Sequence, residues 1–223
     1  MKQKDGEVRG LLQEGCDLLD LSVDAHGIAA LTSYYEELVR WGQKINLVGK
    51  KQSCGQIIEN HFLDSLILLK YLQGEKYTLV DVGSGAGFPG LVCKAVLPDL
   101  RLVLVEPRLK RVSFLLHMVR KLGLSEVEVL AKRIEEIDPG SLLATHITSR
   151  AVAEIAEFLP MISNVAADDT KILCMKGPKW QQELEQAASC LNDLQISLRS
   201  SDEFSLPFST AKRFVLTFQR INV

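Results

Sequence analysis

The sequence has few cysteines, no long apolar run and almost no net charge. Its five cysteines are scattered and form neither a CxxC pair nor a Cys/His ligand group, so we expect reduced thiols and no bound metal. No run approaches the roughly 20 apolar residues of a membrane span, and the first residues contain no apolar signal core, which predicts a cytoplasmic protein. The formal charge of -2 argues against a surface that is basic throughout, although a local basic face remains compatible with it. For the oligomeric state, which the sequence leaves open, a monomer is the default expectation.

Two patterns of hydrophobic spacing divide the chain. Apolar residues recur at helical spacing over residues 8–72, where a third helix is predicted over residues 54–71. Beyond a break at residues 73–76, short apolar runs alternate with helical segments, which is typical of a parallel sheet covered on both faces. We therefore predict an N-terminal helical region over residues 1–74 and an α/β domain over residues 75–223.

Seven strands and four helices are predicted in the α/β domain. The strands are expected at residues 77–82, 101–106, 127–131, 146–149, 171–175, 195–198 and 213–218. The helices are expected at residues 89–97, 110–122, 152–161 and 179–191. The last two strands are predicted to form a closing pair.

A glycine-rich loop follows the first predicted strand. The segment that begins at Gly83 and Gly85 lies at the carboxyl end of the strand, where open α/β sheets bind ligands, and its small residues let a ligand approach the backbone. Asp81 stands just before the loop, and its carboxylate could accept from loop amides or from a ligand's ammonium group. Glu106, at the end of the second strand, could hold two ribose hydroxyls through charge-assisted hydrogen bonds. This spacing predicts a methyltransferase that uses S-adenosylmethionine.

The same loop also matches the GxGxxG fingerprint of a nicotinamide-binding oxidoreductase when the count starts at Gly85. That count would place the charged Asp81 and the flexible Gly83 in the end of a strand that should lead directly into the first glycine. Counting from Gly83 removes this difficulty and favours the methyltransferase.

Two later segments are further candidates for cofactor contact. Ile134 and Glu135 follow the third strand, where this fold brings a loop over an adenine ring, although charges there are also typical of a solvated helix start. Arg150 ends the fourth strand at the same crevice, as a ligand or phosphate contact or as a surface cation. Cys174 lies in an apolar run and is predicted to be an inert core residue.

Several of these motifs together resemble the RsmG (GidB) family, the bacterial 16S rRNA guanine-N7 methyltransferases, over most of the chain. They are YEELVRW with INL at residues 35–47, HFLDSL at residues 61–66, DVGSGAGFPG at residues 81–90, TSRA at residues 148–151 and MKG at residues 175–177. The resemblance implies a Rossmann-like class I S-adenosylmethionine-dependent methyltransferase, with a mostly parallel seven-stranded sheet and an N-terminal helical extension. The product of the cofactor would be S-adenosylhomocysteine. Two positions depart from the family pattern. Asn60 stands where a basic residue is frequent in the family, and His146 stands where an acidic residue is frequent.

The resemblance also implies which residues bind the cofactor, whereas the RNA-binding candidates are chosen by their charge and position. It places S-adenosylmethionine against Gly83, Phe88, Ile134, Glu135 and Arg150, with Asp81, Gly85 and Glu106 expected from the general plan of these enzymes. The substrate would be 16S rRNA or the small ribosomal subunit, and the basic residues nearest the crevice are Arg108, Lys110, Arg111, Lys176 and Lys179. Each of these cations could equally be a solvated surface residue that takes no part in RNA binding.

Guanine N7 carries an in-plane lone pair and no proton, so its methylation needs no general base, and no catalytic residue is assigned. His61, Asp64 and Ser65 are predicted to shape the guanine side of the pocket, with a buried polar network as the alternative. Two rival functions remain open on the sequence: a small-molecule methyltransferase, and a non-catalytic RNA-binding protein that senses S-adenosylmethionine.

Overall fold

The N-terminal region is helical, as its apolar spacing predicts. The computed structural model describes residues 2–49, 51–73 and 77–221, and it begins with α1 (Lys2–Leu18) and α2 (Ala25–Gly42). The Asp24 side chain caps α2 by accepting from the Gly27 amide at 2.7 Å. Within the described residues, no helix combines the length and the apolar character that a membrane crossing requires. The predicted domain boundary between residues 74 and 75 lies outside the described residues.

The predicted third helix is present, but its hydrogen-bonding type changes along its length. It runs through α3 (Cys54–Ile57), a π-helical stretch (Ile58–Leu63), α4 (Asp64–Leu66) and a 3-10 turn (Ile67–Lys70). Ser53 starts it with a reciprocal capping box to Gln56. Because π-helical turns inside helices are frequently found at functional sites, the residues of this stretch are candidates for the functional site.

Seven strands form one sheet. They are β1 (Thr78–Val82), β2 (Arg101–Val105), β3 (Val127–Leu130), β4 (His146–Arg150), β5 (Lys171–Lys176), β6 (Ile196–Ser205) and β7 (Lys212–Arg220). The strand order is β3-β2-β1-β4-β5-β7-β6. The first five strands pair in parallel, whereas β7 is antiparallel to both β5 and β6. The predicted seven-stranded, mostly parallel sheet is therefore confirmed.

Helices cover both faces of this sheet. They are α5 (Gly90–Val96), α6 (Leu109–Lys121), α7 (Ile155–Ile162), α8 (Trp180–Gln186), α9 (Ala188–Asp193) and a 3-10 turn (Ile134–Glu136). Alternate strand residues enter different cores: Leu79 and Leu102 pack with the N-terminal helices, α5 and α6, whereas Val80 and Val103 pack with α7 and the 3-10 turn. Such burial on both sides is the reason that these strands appear in the sequence as continuous apolar runs.

Three predicted boundaries were wrong. The strand predicted at residues 195–198 continues to Ser205, because its outer half is an edge with alternating exposed side chains and needs no continuous apolar run. The helix predicted at residues 179–191 breaks at the buried Ala187 into α8 and α9. The helix predicted from residue 152 starts at Ile155, since Ala151, at a φ of 55°, turns the chain after β4.

Candidate active site

A cavity of about 830 Å³ opens where β1, β4 and β5 end, between the glycine-rich loop and the third helical segment. This volume lies within the range of about 300 to 1,000 Å³ that is typical of small-molecule sites. Eight of the residues proposed from the sequence line it: His61, Asp64, Gly83, Gly85, Phe88, Arg111, Arg150 and Lys176. The sheet topology thus brings together motifs that are spread over more than 100 positions of the chain.

The loop after β1 depends on glycine at defined positions. Gly83, Gly85 and Gly87 all have a positive φ, at 67°, 60° and 88°. A Cβ atom at Gly83 would lie 2.6 Å from Cγ2 of Val152, so the loop and the turn after β4 could not approach so closely with any other residue. The amide of Gly83 donates to the Val105 carbonyl at 2.8 Å, which fixes the loop against the end of β2.

Two buried carboxylates hold this loop from beneath. Asp81 is fully buried and accepts from the Gly90 amide through Oδ2 at 2.9 Å, while its Oδ1 has no hydrogen-bond partner among the described residues. Burial raises the pKa of Asp81 to about 7. Glu106 accepts from the Gly85 amide through Oε2 and from the Arg108 amide through Oε1, both at 2.9 Å. Neither side chain lines the cavity, so both act on its wall through backbone amides.

Arg150 is the centre of a polar cluster that joins β4 to the π-helical stretch. Its Nη1 donates to the Asn60 carbonyl at 2.7 Å and to Asp64 Oδ2 at 2.9 Å. Its guanidinium carbon also lies 5.1 Å from the centre of the Phe88 ring, within reach of a cation–π interaction. The predicted contact residues Phe88 and Arg150 are therefore neighbours, and the family-like HFLDSL segment supplies their partners.

His61 is held as a neutral ring within this cluster. Its Nδ1 lies 3.1 Å from Nη2 of Arg150, which can only donate, so Nδ1 accepts and Nε2–H donates to Gln52 Oε1 at 3.0 Å. Burial, and then the charge of Arg150, lowers the pKa of His61 to about 4. A neutral ring whose nitrogens are both engaged positions Arg150 rather than transferring a proton.

Arg213 is a cavity residue that the sequence did not identify. Its Nε lies 3.2 Å from Asp64 Oδ1, so Asp64 is shared by two guanidinium groups, and its Nη2 donates to the side chain of Asn60 at 3.4 Å. Asn60, which stands where the family frequently has a basic residue, thus supplies an acceptor for this arginine. Arg213 appeared in the sequence only as a basic residue in the last predicted strand, and it reaches the cavity because β7 inserts beside β5.

The other predicted contacts lie outside the cavity lining. Ser65 is fully buried and donates to the His61 carbonyl within its own helix. Ile134 is buried in the core, and Glu135 is exposed on the short 3-10 turn. The cofactor contacts at Ile134 and Glu135, and the pocket role of Ser65, remain predictions.

The five predicted RNA-binding cations divide between the cavity and the outer surface. Arg111 and Lys176 line the cavity, whereas Arg108, Lys110 and Lys179 are exposed beyond it. Lys176 donates to the Ala153 carbonyl at 2.8 Å and pairs with Glu183 at 2.6 Å. The second departure from the family pattern, His146, is buried at the start of β4, at the opposite end of that strand from Arg150.

The strand order, in which β7 lies antiparallel between β5 and the edge strand β6, defines a Rossmann-like class I methyltransferase fold. The glycine-rich loop at the end of β1 is part of the same definition. The solved structure of a ribosomal protein L11 methylase from Lactobacillus delbrueckii subsp. bulgaricus matches 73% of this chain and 79% of its own, with a TM-score of 0.57 and 11% identity. A SAM-dependent methyltransferase from Aquifex aeolicus matches 74% of this chain and 93% of its own, with a TM-score of 0.54 and 21% identity. The predicted fold class is confirmed.

The sequence comparisons identify the family within this fold. The GidB profile, described as rRNA small subunit methyltransferase G, matches residues 27–208. A relative described as ribosomal RNA small subunit methyltransferase G, from Desulfotalea psychrophila, is 46% identical over 93% of this chain and 96% of its own length. A relative with the same description from Syntrophus aciditrophicus is 32% identical over 94% of this chain and 88% of its own. The chain belongs to the GidB family, as its motifs predict.

Proposed function

We propose that this protein transfers a methyl group from S-adenosylmethionine to N7 of a guanine in small-subunit (16S) ribosomal RNA. The observation that carries the proposal is one cavity in which a glycine-rich loop lies beside four cations, Arg150, Arg213, Arg111 and Lys176, each of which is paired with a carboxylate. The loop suits a nucleoside cofactor, and the exposed cations Arg108, Lys110 and Lys179 outside the cavity suit the phosphates of a polynucleotide. Membership of a family described as rRNA small subunit methyltransferases supports the same substrate.

The cavity fits S-adenosylmethionine in shape and in polarity. Gly83 and Gly85 line one wall with backbone atoms alone, so a ligand can approach the main chain there. Phe88 and Arg150 offer an aromatic face and a cation at the same wall. Both oxygens of Glu106 already accept from amides, but a carboxylate has further lone pairs for ribose hydroxyls. The predicted set of Asp81, Gly83, Gly85, Phe88, Glu106, Ile134, Glu135 and Arg150 is retained as the proposed cofactor site.

The chemistry requires positioning rather than acid–base catalysis. S-adenosylmethionine supplies a methyl group on a sulfonium, and the lone pair of guanine N7 can displace it without losing a proton. The groups closest to the reaction agree with this: His61 is neutral with both nitrogens engaged, and Asp64 is neutralised by two arginines. In-line alignment of two reactants inside a desolvated cavity is worth about 7 to 11 kcal/mol in favourable cases. The residues of this chain would therefore contribute mainly by holding the two substrates.

His61 and Asp64 shape the side of the pocket that faces the target base in this proposal. Both line the cavity from the third helical segment, where the His61 ring lies 5.1 Å from that of Phe88, and both contact Arg150. Ser65 would act one step further away, because its hydroxyl bonds the carbonyl of His61.

The RNA would approach over the basic residues around the cavity. Arg111 and Lys176 stand inside it, and the exposed Arg108, Lys110 and Lys179 extend the positive surface outward. These cations would neutralise backbone phosphates, so binding should weaken steeply with salt. We propose that the protein does this in the cytoplasm, as a monomer, on the RNA or on the small ribosomal subunit.

The test is methyl transfer to a defined guanine. Small-subunit RNA and small subunits from cells that lack this protein are incubated with radiolabelled S-adenosylmethionine, and N7-methylguanine is mapped by chemical strand scission at the modified base. Label at one guanine is the expected result. Labelling of small metabolites alone would establish a small-molecule methyltransferase, and binding of both RNA and cofactor without transfer would establish a non-catalytic sensor.

Two arginine variants separate the site from general effects of charge. Arg150→Gln removes a cavity cation and should reduce transfer at least tenfold, because charged hydrogen bonds of this kind contribute about 1.5 to 3 kcal/mol. Arg101→Gln makes the same change in charge at the exposed start of β2, where the strand begins and away from the carboxyl ends that form the cavity. It should leave transfer as in the unaltered protein. Equal losses in both variants would contradict the proposed site.

A further inference from the structure

A tyrosine from the N-terminal helical region contacts the cofactor loop directly. Tyr34 lies on α2, is fully buried, and donates a hydrogen bond from its hydroxyl to the Ala86 carbonyl, 52 positions further along the chain. Its ring is parallel to that of Phe88, with 5.8 Å between the ring centres and 6° between the planes. A Cβ atom at Gly87 would lie 2.3 Å from the Tyr34 hydroxyl oxygen, so the loop is in close contact with this side chain.

The hydrogen bond of Tyr34 has a specific place in the geometry of the loop. In an α-helix that began one turn earlier, the Gly90 amide would donate to the Ala86 carbonyl. Here the Gly90 amide donates to Asp81 Oδ2 at 2.9 Å, and the Ala86 carbonyl accepts from Tyr34. Asp81 therefore binds the donor, and Tyr34 the acceptor, of the hydrogen bond that would extend α5 by one turn toward its N-terminus. They hold residues 83–89 as a loop whose small residues Gly83, Ser84, Gly85 and Ala86 line the cavity.

We infer that Tyr34 is a positioning residue for cofactor binding: it holds the loop of residues 83–90 in the conformation that admits S-adenosylmethionine. Asp81 and Glu106 reach the loop from the sheet, whereas Tyr34 reaches it from the helical region, so α2 contributes to the cofactor site without lining the cavity. The inference rests on the proposed function insofar as the ligand is S-adenosylmethionine or its product.

Loss of the hydroxyl leaves the buried Ala86 carbonyl without its donor, and the loop loses the hydrogen bond that joins it to α2. Since apparent affinity falls with the fraction of molecules in the competent form, Tyr34→Phe should weaken binding of S-adenosylhomocysteine by about tenfold. The phenyl ring keeps its stacking with Phe88, so the core should remain packed. The matched control is Tyr35→Phe, which removes a hydroxyl from the adjacent, half-buried tyrosine, whose ring contacts Phe62 rather than the loop.

The experiment is calorimetric titration of S-adenosylhomocysteine into the unaltered protein, Tyr34→Phe and Tyr35→Phe, followed by steady-state kinetics. We expect a Kd and a KM for S-adenosylmethionine raised about tenfold in Tyr34→Phe alone, with kcat at saturating cofactor and KM for RNA unchanged. A Kd within twofold of the unaltered protein, or a fall in kcat with an unchanged cofactor KM, would overturn the inference. Absence of binding in the unaltered protein would instead refute the proposed function, and this inference with it.

Hydrogen exchange in the unaltered protein provides a second test that does not depend on the folding of a variant. Addition of S-adenosylhomocysteine should slow amide exchange in residues 83–90 and, to a similar degree, around Tyr34 in α2, because the hydrogen bond joins them. Protection confined to the loop would count against the positioning role.

Discussion

The clearest prediction concerns the stability of the protein in mild acid. His61 accepts a hydrogen bond from Arg150, and its pKa is lowered from 6.5 to about 4, so the folded protein binds no proton there at pH 5 while the unfolded chain does. A group whose pKa is depressed on folding in this way destabilises the folded state as the pH falls from 6.5 toward 4. Between pH 7.5 and pH 5.0 the loss is about 2 kcal/mol, and this is an upper value because the ring is partly exposed to solvent.

The assay is urea unfolding of the unaltered protein and of His61→Asn at both pH values. Asparagine can place an amide oxygen near the position of Nδ1, and it does not titrate in this range. The stability difference between the two proteins should change by about 1 to 2 kcal/mol, with the unaltered protein losing more in acid. The comparison is made as a difference because His146, with a pKa lowered to about 4, acts in the same direction, whereas Asp81, with a pKa raised to about 7, acts in the opposite one.

His26→Asn is the matched control, because the His26 ring is exposed on α2 and its replacement should leave the acid response as it is. A stability difference for His61→Asn that is the same at pH 7.5 and pH 5.0 would refute the assignment of a neutral His61 ring against Arg150. The ring proton resonances of His61, followed by NMR over the same range, would give its pKa directly.

Four further substitutions test contacts in and around the site. Asp64→Asn removes the charge that two arginines share and should cost about 2 kcal/mol in urea unfolding and reduce methyl transfer, a cost moderated by the partial exposure of both arginines. Glu59→Gln weakens the buried carboxylate that accepts from two amides of the β6–β7 turn, and should cost about 1 kcal/mol and speed limited proteolysis at residues 206–211. Gly87→Ala should destabilise the protein by at least 1 kcal/mol more than Gly85→Ala in thermal or urea unfolding, because both force a positive φ but only the first meets the hydroxyl of Tyr34.

Each of these substitutions has an outcome that would contradict its basis. Unchanged stability in Asp64→Asn would mean that solvent already screens the arginine pairs. Equal proteolysis of Glu59→Gln and the unaltered protein would mean that the turn is held by other contacts. Equal losses for Gly85→Ala and Gly87→Ala would leave backbone strain as their common cause.

The motif residues were predictable because they are local in the sequence. Asp81 and Gly83 lie within three positions of each other at the end of an apolar strand, and Glu106 ends the next strand, so the strand–loop–helix pattern defines their common edge. Central strands could be located for the same reason, since burial on both faces leaves apolar runs in β1, β2 and β5. The boundaries that were wrong lie at an exposed edge strand and at turns, where side-chain pattern carries little information.

What the sequence by itself determined is the class of fold, the loop at the end of β1 and the family, because these depend on short segments whose spacing is fixed by the backbone. The tertiary structure alone decided which distant side chains meet: Arg213 beside Asp64, and Tyr34 against the Ala86 carbonyl. Arg213 depends on the insertion of β7 between β5 and β6, and Tyr34 on the packing of α2 against α5. Contacts over 52 or more positions leave no periodicity in the chain, since they arise only when the sheet and its covering helices close around one core.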